Sequence, residues 1–162
     1  MMAYKRRKGK NIVTRGKKKK DFSFKGIAYK SGLEKNMAIL LDSAGIDFAY
    51  ESKTFEVVEG FKFDFDCYER QANGKGDMIN RGRKKILPIK YTPDFIGEGF
   101  IIETKGYANE TFPLRWKLFK KMLTDTVGNI SPLVVYKPQK ISECEEVIKL
   151  IKKQNEQKTS GK

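Results

Sequence analysis

The sequence predicts an α/β fold, a central mixed β-sheet flanked by helices. Three features point there. Apolar residues recur at helical spacing in three separate stretches, beginning near Ser31, Thr111 and Ser142. Short segments rich in aromatic and β-branched residues lie between them. One of these, Phe100-Ile101-Ile102, shows no polar alternation and reads as a buried strand. At 162 residues the chain has room for a single domain with a real core.

Residues 1 to 26 mix Lys, Arg and Gly with few apolar residues and are expected to form a flexible basic arm. From Leu33 the positions Leu33, Met37, Leu40, Leu41 and Ala44 follow helical spacing, with Gly45 as a C-terminal cap. Phe48 to Val58 reads as a strand, and the strictly alternating Phe61 to Asp66 as a second, with a hairpin turn near Glu59-Gly60. Gln71 to Lys85 carries three glycines among its basic residues and reads as a flexible loop inside a basic insert at about 66 to 86. Ile86 to Phe95 and Phe100 to Thr104 supply two further strands, joined by a reversal that Gly97 and Gly99 permit.

Thr111 and Pro113 then open a helix with Leu114, Leu118, Met122 and Phe119 inward and Trp116 on the core edge. Leu133 to Val135 sit in a short strand. Ser142 to Lys153 form an amphipathic helix, acidic at its start and basic at its end, as the helix dipole favours. The domain is thus expected over residues 27 to 153, with a polar tail over 154 to 162.

Charge points to a polyanionic partner. The chain holds 34 Lys and Arg against 20 Asp and Glu, a net charge of +14. Residues 1 to 20 hold ten of those basic residues and no acid, so the rest of the chain is only mildly positive. Lys5, Arg6, Arg7, Lys8, Lys17, Lys18, Lys19 and Lys20 are the candidate phosphate contacts of the arm; a merely solubilising tail is the competing reading. Arg81, Arg83 and Lys84 of the insert, and Arg115, Lys117 and Lys120 of the second helix, are further candidates, weighed against plain solvated faces.

Histidine is absent, which excludes a Ser-His-Asp triad, a Cys-His pair and a His-ligated zinc site. Cys67 and Cys144 match no metal spacing and read as reduced thiols of a cytoplasmic protein. No apolar run is long enough to span a membrane, and no hydrophobic region follows the basic N-terminus as a secretory signal requires.

The stretch that carries chemistry is Pro93-Asp94, followed after the turn by Glu103-Thr104-Lys105. Residues two apart on a strand share a face, so Glu103 and Lys105 project together and Thr104 points the other way. The reversal brings Asp94 back beside Glu103. Two carboxylates and an ammonium on one patch suit phosphodiester hydrolysis. Asp94 and Glu103 offer hard oxygen ligands to Mg²⁺ or Mn²⁺, and Lys105 can orient water or neutralise the charge growing on the phosphate. Asp64 and Asp66 alternate with aromatics and read as solvated charges. Ser31 with Glu34 fits a capping box, a role that does not exclude an acidic contribution to the site.

These motifs resemble the signature of the PD-(D/E)XK nuclease superfamily. The upstream order tightens the likeness: Ser31-Gly32-Leu33-Glu34, a helix, Gly45-Ile46, Phe48-Ala49-Tyr50-Glu51, Tyr91-Thr92-Pro93-Asp94-Phe95 and Glu103-Thr104-Lys105-Gly106. Together they are similar to the bacteriophage endonuclease I-like Holliday-junction resolvases. The resemblance covers roughly residues 30 to 106. The segment between the first strand and Tyr91 is longer here than in that family. The resemblance implies a restriction-endonuclease-like sheet and an active site of Glu34, Asp94, Glu103 and Lys105, with the three carboxylates around Mg²⁺ or Mn²⁺. It further implies branched or double-stranded DNA as partner, a homodimer with two active sites, and action in a phage or bacterial cytoplasm.

Overall fold

The computed structural model describes residues 21–107, 109–127 and 133–160. A hairpin of β1 (Ser23–Phe24) and β2 (Ile27–Ala28) opens the described chain. Its turn residues Lys25 and Gly26 both have positive φ, 48° and 79°, as a two-residue turn matched to strand twist requires. The expected arm therefore reaches no further than Asp21.

Helix α1 (Gly32–Ser43) is capped at both ends by local chemistry. The Ser31 hydroxyl accepts from the Glu34 amide at 3.2 Å. At the other end the Gly45 amide donates to Asp42 and the Ile46 amide to Leu41, each at 3.0 Å, with Gly45 at φ 66°. That is the double 5→2 and 6→1 closure in which glycine avoids the steric cost of the left-handed region.

The expected strand from Phe48 to Val58 divides in two. β3 (Ala49–Tyr50) ends where Glu51 adopts a left-handed φ of 43°, and β4 (Phe55–Val58) belongs to a different sheet. No hairpin forms at Glu59-Gly60. Instead β4, β5 (Phe61–Phe63) and β6 (Tyr68–Glu69) run outward in succession, and β7 (Ile79–Asn80), β8 (Lys84–Ile86) and β9 (Ile89–Tyr91) return beside them. The expected loop thus divides: residues 71 to 78 are the open end of a long antiparallel ribbon, and from Ile79 the chain is its returning arm.

Register in the ribbon slips by one residue between Glu56 and Val58, and again as the chain passes Arg83. There the Arg83 amide donates to Phe65 at 3.0 Å with φ 52°, and a Cβ on Gly82 would lie 2.0 Å from the Phe65 carbonyl. Only glycine fits that approach. Alternation of Phe, Lys and Asp showed two strands here, but not which strand each would choose.

The central sheet has the order β12-β11-β10-β3, where β10 is Phe95–Gly97, β11 is Phe100–Ile102 and β12 is Val134–Tyr136. β11 runs parallel to β12 and antiparallel to β10, so the sheet is mixed as expected. Gly97 pairs with Phe100 across the tight turn, and any side chain at 97 would overlap the Phe100 ring, at 2.1 Å.

Two cores cover the two faces. Phe95, Phe100 and Ile102 pack against Tyr29, which follows β2, against Met37 and Leu41 from α1, and against Cys144, Val147 and Ile151 from α3 (Ile141–Ser160). Ile101 points the other way, into a cluster with Tyr91 and with Phe112, Phe119 and Leu123 from α2 (Phe112–Val127). β11 is therefore buried on both sides, which is why its sequence shows no alternation.

In helix α2 Phe119 and Met122 face inward and Trp116 lies at the core edge as expected, but Leu114 is exposed and Phe112 and Leu123 complete the inward stripe; Phe119 stacks on Tyr91 and meets Phe55 edge-on. α3 is longer than expected. The predicted polar tail continues the helix to Ser160, and the Gln154 side chain donates to the Gly99 carbonyl at 3.2 Å. Cys67 and Cys144 are both free thiols. Among the described residues, no helix is long and apolar enough to cross a membrane.

Candidate active site

The catalytic candidates meet where the sheet ends. Beyond Ile102 the chain stays extended. The amides of Glu103 and Lys105 donate to Tyr136 and Pro138 on the β12 side, each at 3.0 Å. The intervening Thr104 amide must then face the β10 side, and it donates to Asp94 Oδ2 at 2.7 Å. The Thr104 hydroxyl donates to the same oxygen at 2.6 Å. The expectation that Thr104 merely points away is corrected: its backbone and hydroxyl together clamp Asp94.

Glu103 and Lys105 line one cleft of about 210 Å³ with Lys30, Glu51, Tyr91, Phe112 and Arg115. Glu103 is buried, and its Oε2 has no hydrogen-bond partner. The nearby Tyr91 hydroxyl is also buried and unpaired, so the two groups approach each other without hydrogen-bond geometry. Burial, helped by the neighbouring Asp94 charge, pushes the Glu103 carboxyl up to about 7, against the lowering pull of Tyr91 and Lys105. Asp94 is pushed up to about 6, first by burial and then by the charges of Glu34 and Glu51, despite the two Thr104 hydrogen bonds. Lys105 rests its ammonium over the Phe112 ring, 4.9 Å from the centroid.

Glu34 is buried at the start of α1, and its charge is felt by both Asp94 and Glu103. Its Oε2 accepts from the Lys30 amide at 2.9 Å and from the Tyr50 hydroxyl at 2.5 Å. The capping box is thus shifted by one residue: the carboxylate reaches Lys30 rather than Ser31. Burial and the bond to Glu34 raise the Tyr50 hydroxyl far above its ordinary range, which keeps it a donor.

A divalent cation fits this donor set. A buried carboxylate oxygen without a partner and two carboxyls whose charged forms are disfavoured, first by burial and then by neighbouring acids, are what such an ion relieves. Among the described residues, no three acidic or thiol groups gather closely enough to cage an ion. Asp94 and Glu103 are the residues that would hold it; Glu34, the third expected ligand, already has its Oε2 engaged by Lys30 and Tyr50 and acts on both through its charge.

The DNA-contact candidates fall in different places. Lys5, Arg6, Arg7, Lys8, Lys17, Lys18, Lys19 and Lys20 lie outside the described residues. Arg83 is folded onto Asp66, with Nε to Oδ1 at 2.6 Å, and the Nε of half-buried Arg81 has no hydrogen-bond partner. Asp66 also accepts from Asn80 at 2.8 Å, so it organises the ribbon and is more than a solvated charge. Lys84, Lys117 and Lys120 are exposed. Arg115 lines the cleft and donates to the Lys90 carbonyl.

Lys30, Tyr50, Glu51 and Thr104 were not among the sequence-based candidates. Tyr50-Glu51 and Thr104 lie inside the quoted motifs, so the signal was present as proximity in sequence. Nothing in spacing alone says that a threonine between two functional residues bonds a third. No family model, curated protein or solved structure matches this chain.

Proposed function

We propose that this protein is a metal-dependent endodeoxyribonuclease that hydrolyses phosphodiesters in branched DNA and resolves Holliday junctions in phage recombination or DNA processing. The carrying observation is the cleft in which Glu103, next to the clamped Asp94, shares one wall with Lys105. The mixed sheet flanked by helices supports reading the fold as restriction-endonuclease-like. Asp94 and Glu103 would hold Mg²⁺ or Mn²⁺, which when bound would supply Lewis-acid activation of water and phosphate. Thr104 keeps one Asp94 oxygen fixed, Lys105 orients the attacking water or offsets the charge growing on the phosphate, and Tyr91 and Phe112 narrow the water-accessible volume. The protein works as a cytoplasmic homodimer, matching two active sites to a two-fold junction.

Cleavage of a labelled four-way junction and its linear duplex, in Mg²⁺ and in EDTA, tests this. Wild type is expected to cut the junction only with metal, and Asp94→Ala to bind it without cutting. Binding by wild type without metal-dependent cutting would leave a non-catalytic nucleic-acid-binding protein. One observation favours a second reading, a duplex-cutting restriction-, transposon- or repair-type endonuclease. The ribbon is two strands wide, carries exposed Lys84 and Lys85, and springs from the strand that leads into Asp94. A two-stranded ribbon fits a major groove. Equal cutting of both substrates would select that reading.

The arm gives a separate expectation. Deleting residues 1 to 20 removes ten basic residues. It should weaken DNA binding and flatten its dependence on salt, since each phosphate contact adds about 0.9 to the slope of log affinity against log salt. An unchanged slope would make the arm a spectator.

A further inference from the structure

Lys30 stands at a junction that the proposed chemistry has not yet used. Its amide donates to Glu34 Oε2 at 2.9 Å, and its ammonium is ion-paired with Glu51 Oε1. Lys30 and Glu51 both line the cleft that holds Glu103 and Lys105. Glu51 is itself held in place: its amide donates to the Asp94 carbonyl at 2.8 Å, and its φ is 43°. A left-handed backbone is strained for a glutamate, and a solvent-exposed Lys–Glu pair contributes little in return. The ion pair alone therefore does not account for the strain, and strain of this kind gathers at functional sites.

Resting on the nuclease reading, we propose that Lys30 contacts a phosphate of the DNA strand in the cleft, and that Glu51 is the positioning residue that holds its ammonium there. The charge arrangement supports this. Asp94, Glu103 and Glu34 repel an incoming phosphate, and the lining cations that can offset them are Lys30, Lys105 and Arg115. Arg115 is anchored on the Lys90 carbonyl and Lys105 lies over Phe112. Lys30 enters from the segment before α1, Lys105 from beyond β11 and Arg115 from α2, so the phosphate meets cations contributed by different parts of the fold. The Lys30 ammonium has three N–H donors, so it keeps its pair with Glu51 and offers a second donor to the phosphate while Glu34 holds the Lys30 backbone.

The test is single-turnover cleavage of the four-way junction by the full chain in Mg²⁺, with affinity measured in EDTA. Lys30→Ala should lower the cleavage rate about 10- to 100-fold with affinity within about 3-fold, because one lysine among many adds little to overall binding. Lys30→Arg should retain most of the rate. Glu51→Gln should lower the rate less than Lys30→Ala, and leave affinity unchanged. The double exchange Lys30→Glu with Glu51→Lys restores an ion pair but puts an acid where the phosphate sits, so it should remain as slow as Lys30→Ala.

Restoration of wild-type rate by the double exchange would reduce the pair to a staple between the segment before α1 and the end of β3 and overturn the proposal. Wild-type cleavage by Lys30→Ala would do the same, and both results would leave the nuclease reading standing. If wild type cuts no DNA at all, that reading falls and this inference falls with it.

Discussion

Glu103→Gln is expected to abolish metal-dependent cleavage, by at least about 10³-fold, and at the same time to make the metal-free protein more stable at neutral pH. The two effects share one cause. Glu103 is buried with an unpaired oxygen beside Asp94, so its charged form is disfavoured and its carboxyl sits at about 7 against an ordinary 4.5. Between those values the folded protein retains a proton that the unfolded chain has released. The contribution of Glu103 to stability therefore falls as pH rises from about 4.5 to 7, and the full cost is present above 7. Neutral glutamine removes that cost, and the gain should be about 1 to 3 kcal/mol at pH 8. Below pH 4 the two proteins should differ little.

Chemical denaturation at pH 4 and pH 8 checks this. Added Mg²⁺ should raise the melting temperature of wild type and have little effect on the variant, since a ligand stabilises only the protein that binds it. Equal stabilisation of both by Mg²⁺ would show that the ion binds elsewhere. A variant less stable than wild type at pH 8 would mean that Glu103 finds a compensating partner in solution.

The second large effect falls on the core beneath the site. Phe95→Ala should destabilise the fold by about 3 to 5 kcal/mol. Phe95 is fully buried and touches three aromatic rings, with centroids at 6.3 Å to Tyr29, 5.5 Å to Phe48 and 5.4 Å to Tyr50. It also follows Asp94 directly, and Tyr50 holds Glu34. Loss of the ring should thus loosen both carboxylates, and cleavage should fall even at temperatures where the variant remains folded. A variant that melts like wild type would show that the aromatic cluster collapses to fill the space.

What could be read from residues and what could not follows from the range of the forces involved. Helix α1 was legible because its signals are local: Ser31, the apolar spacing and Gly45 act within a few residues of one another. The turn between β10 and β11 was legible for the same reason, with Gly97 and Gly99 in place. In α2 only Leu114 was misjudged, because Leu114 and Phe112 both satisfy helical spacing and only the position of Tyr91 and Phe55 selects between them. Gln154 looked like tail because it is polar, yet a carbonyl at Gly99, 55 positions away in the chain, gives it a partner.

The sequence by itself determined the α/β composition, the doubly buried strand at Phe100 to Ile102, the neighbouring placement of Glu103 and Lys105, and the concentration of positive charge in the first 20 residues. These depend on period, composition and short-range turns. Only the tertiary structure decided that Thr104 clamps Asp94, that Tyr50 and Lys30 converge on Glu34, that Glu51 is strained into the cleft, and that residues 55 to 91 form a ribbon instead of a hairpin and a loop. Those outcomes depend on which strand pairs with which, and on burial that raises or satisfies a polar group. Neither quantity exists until distant segments are brought together.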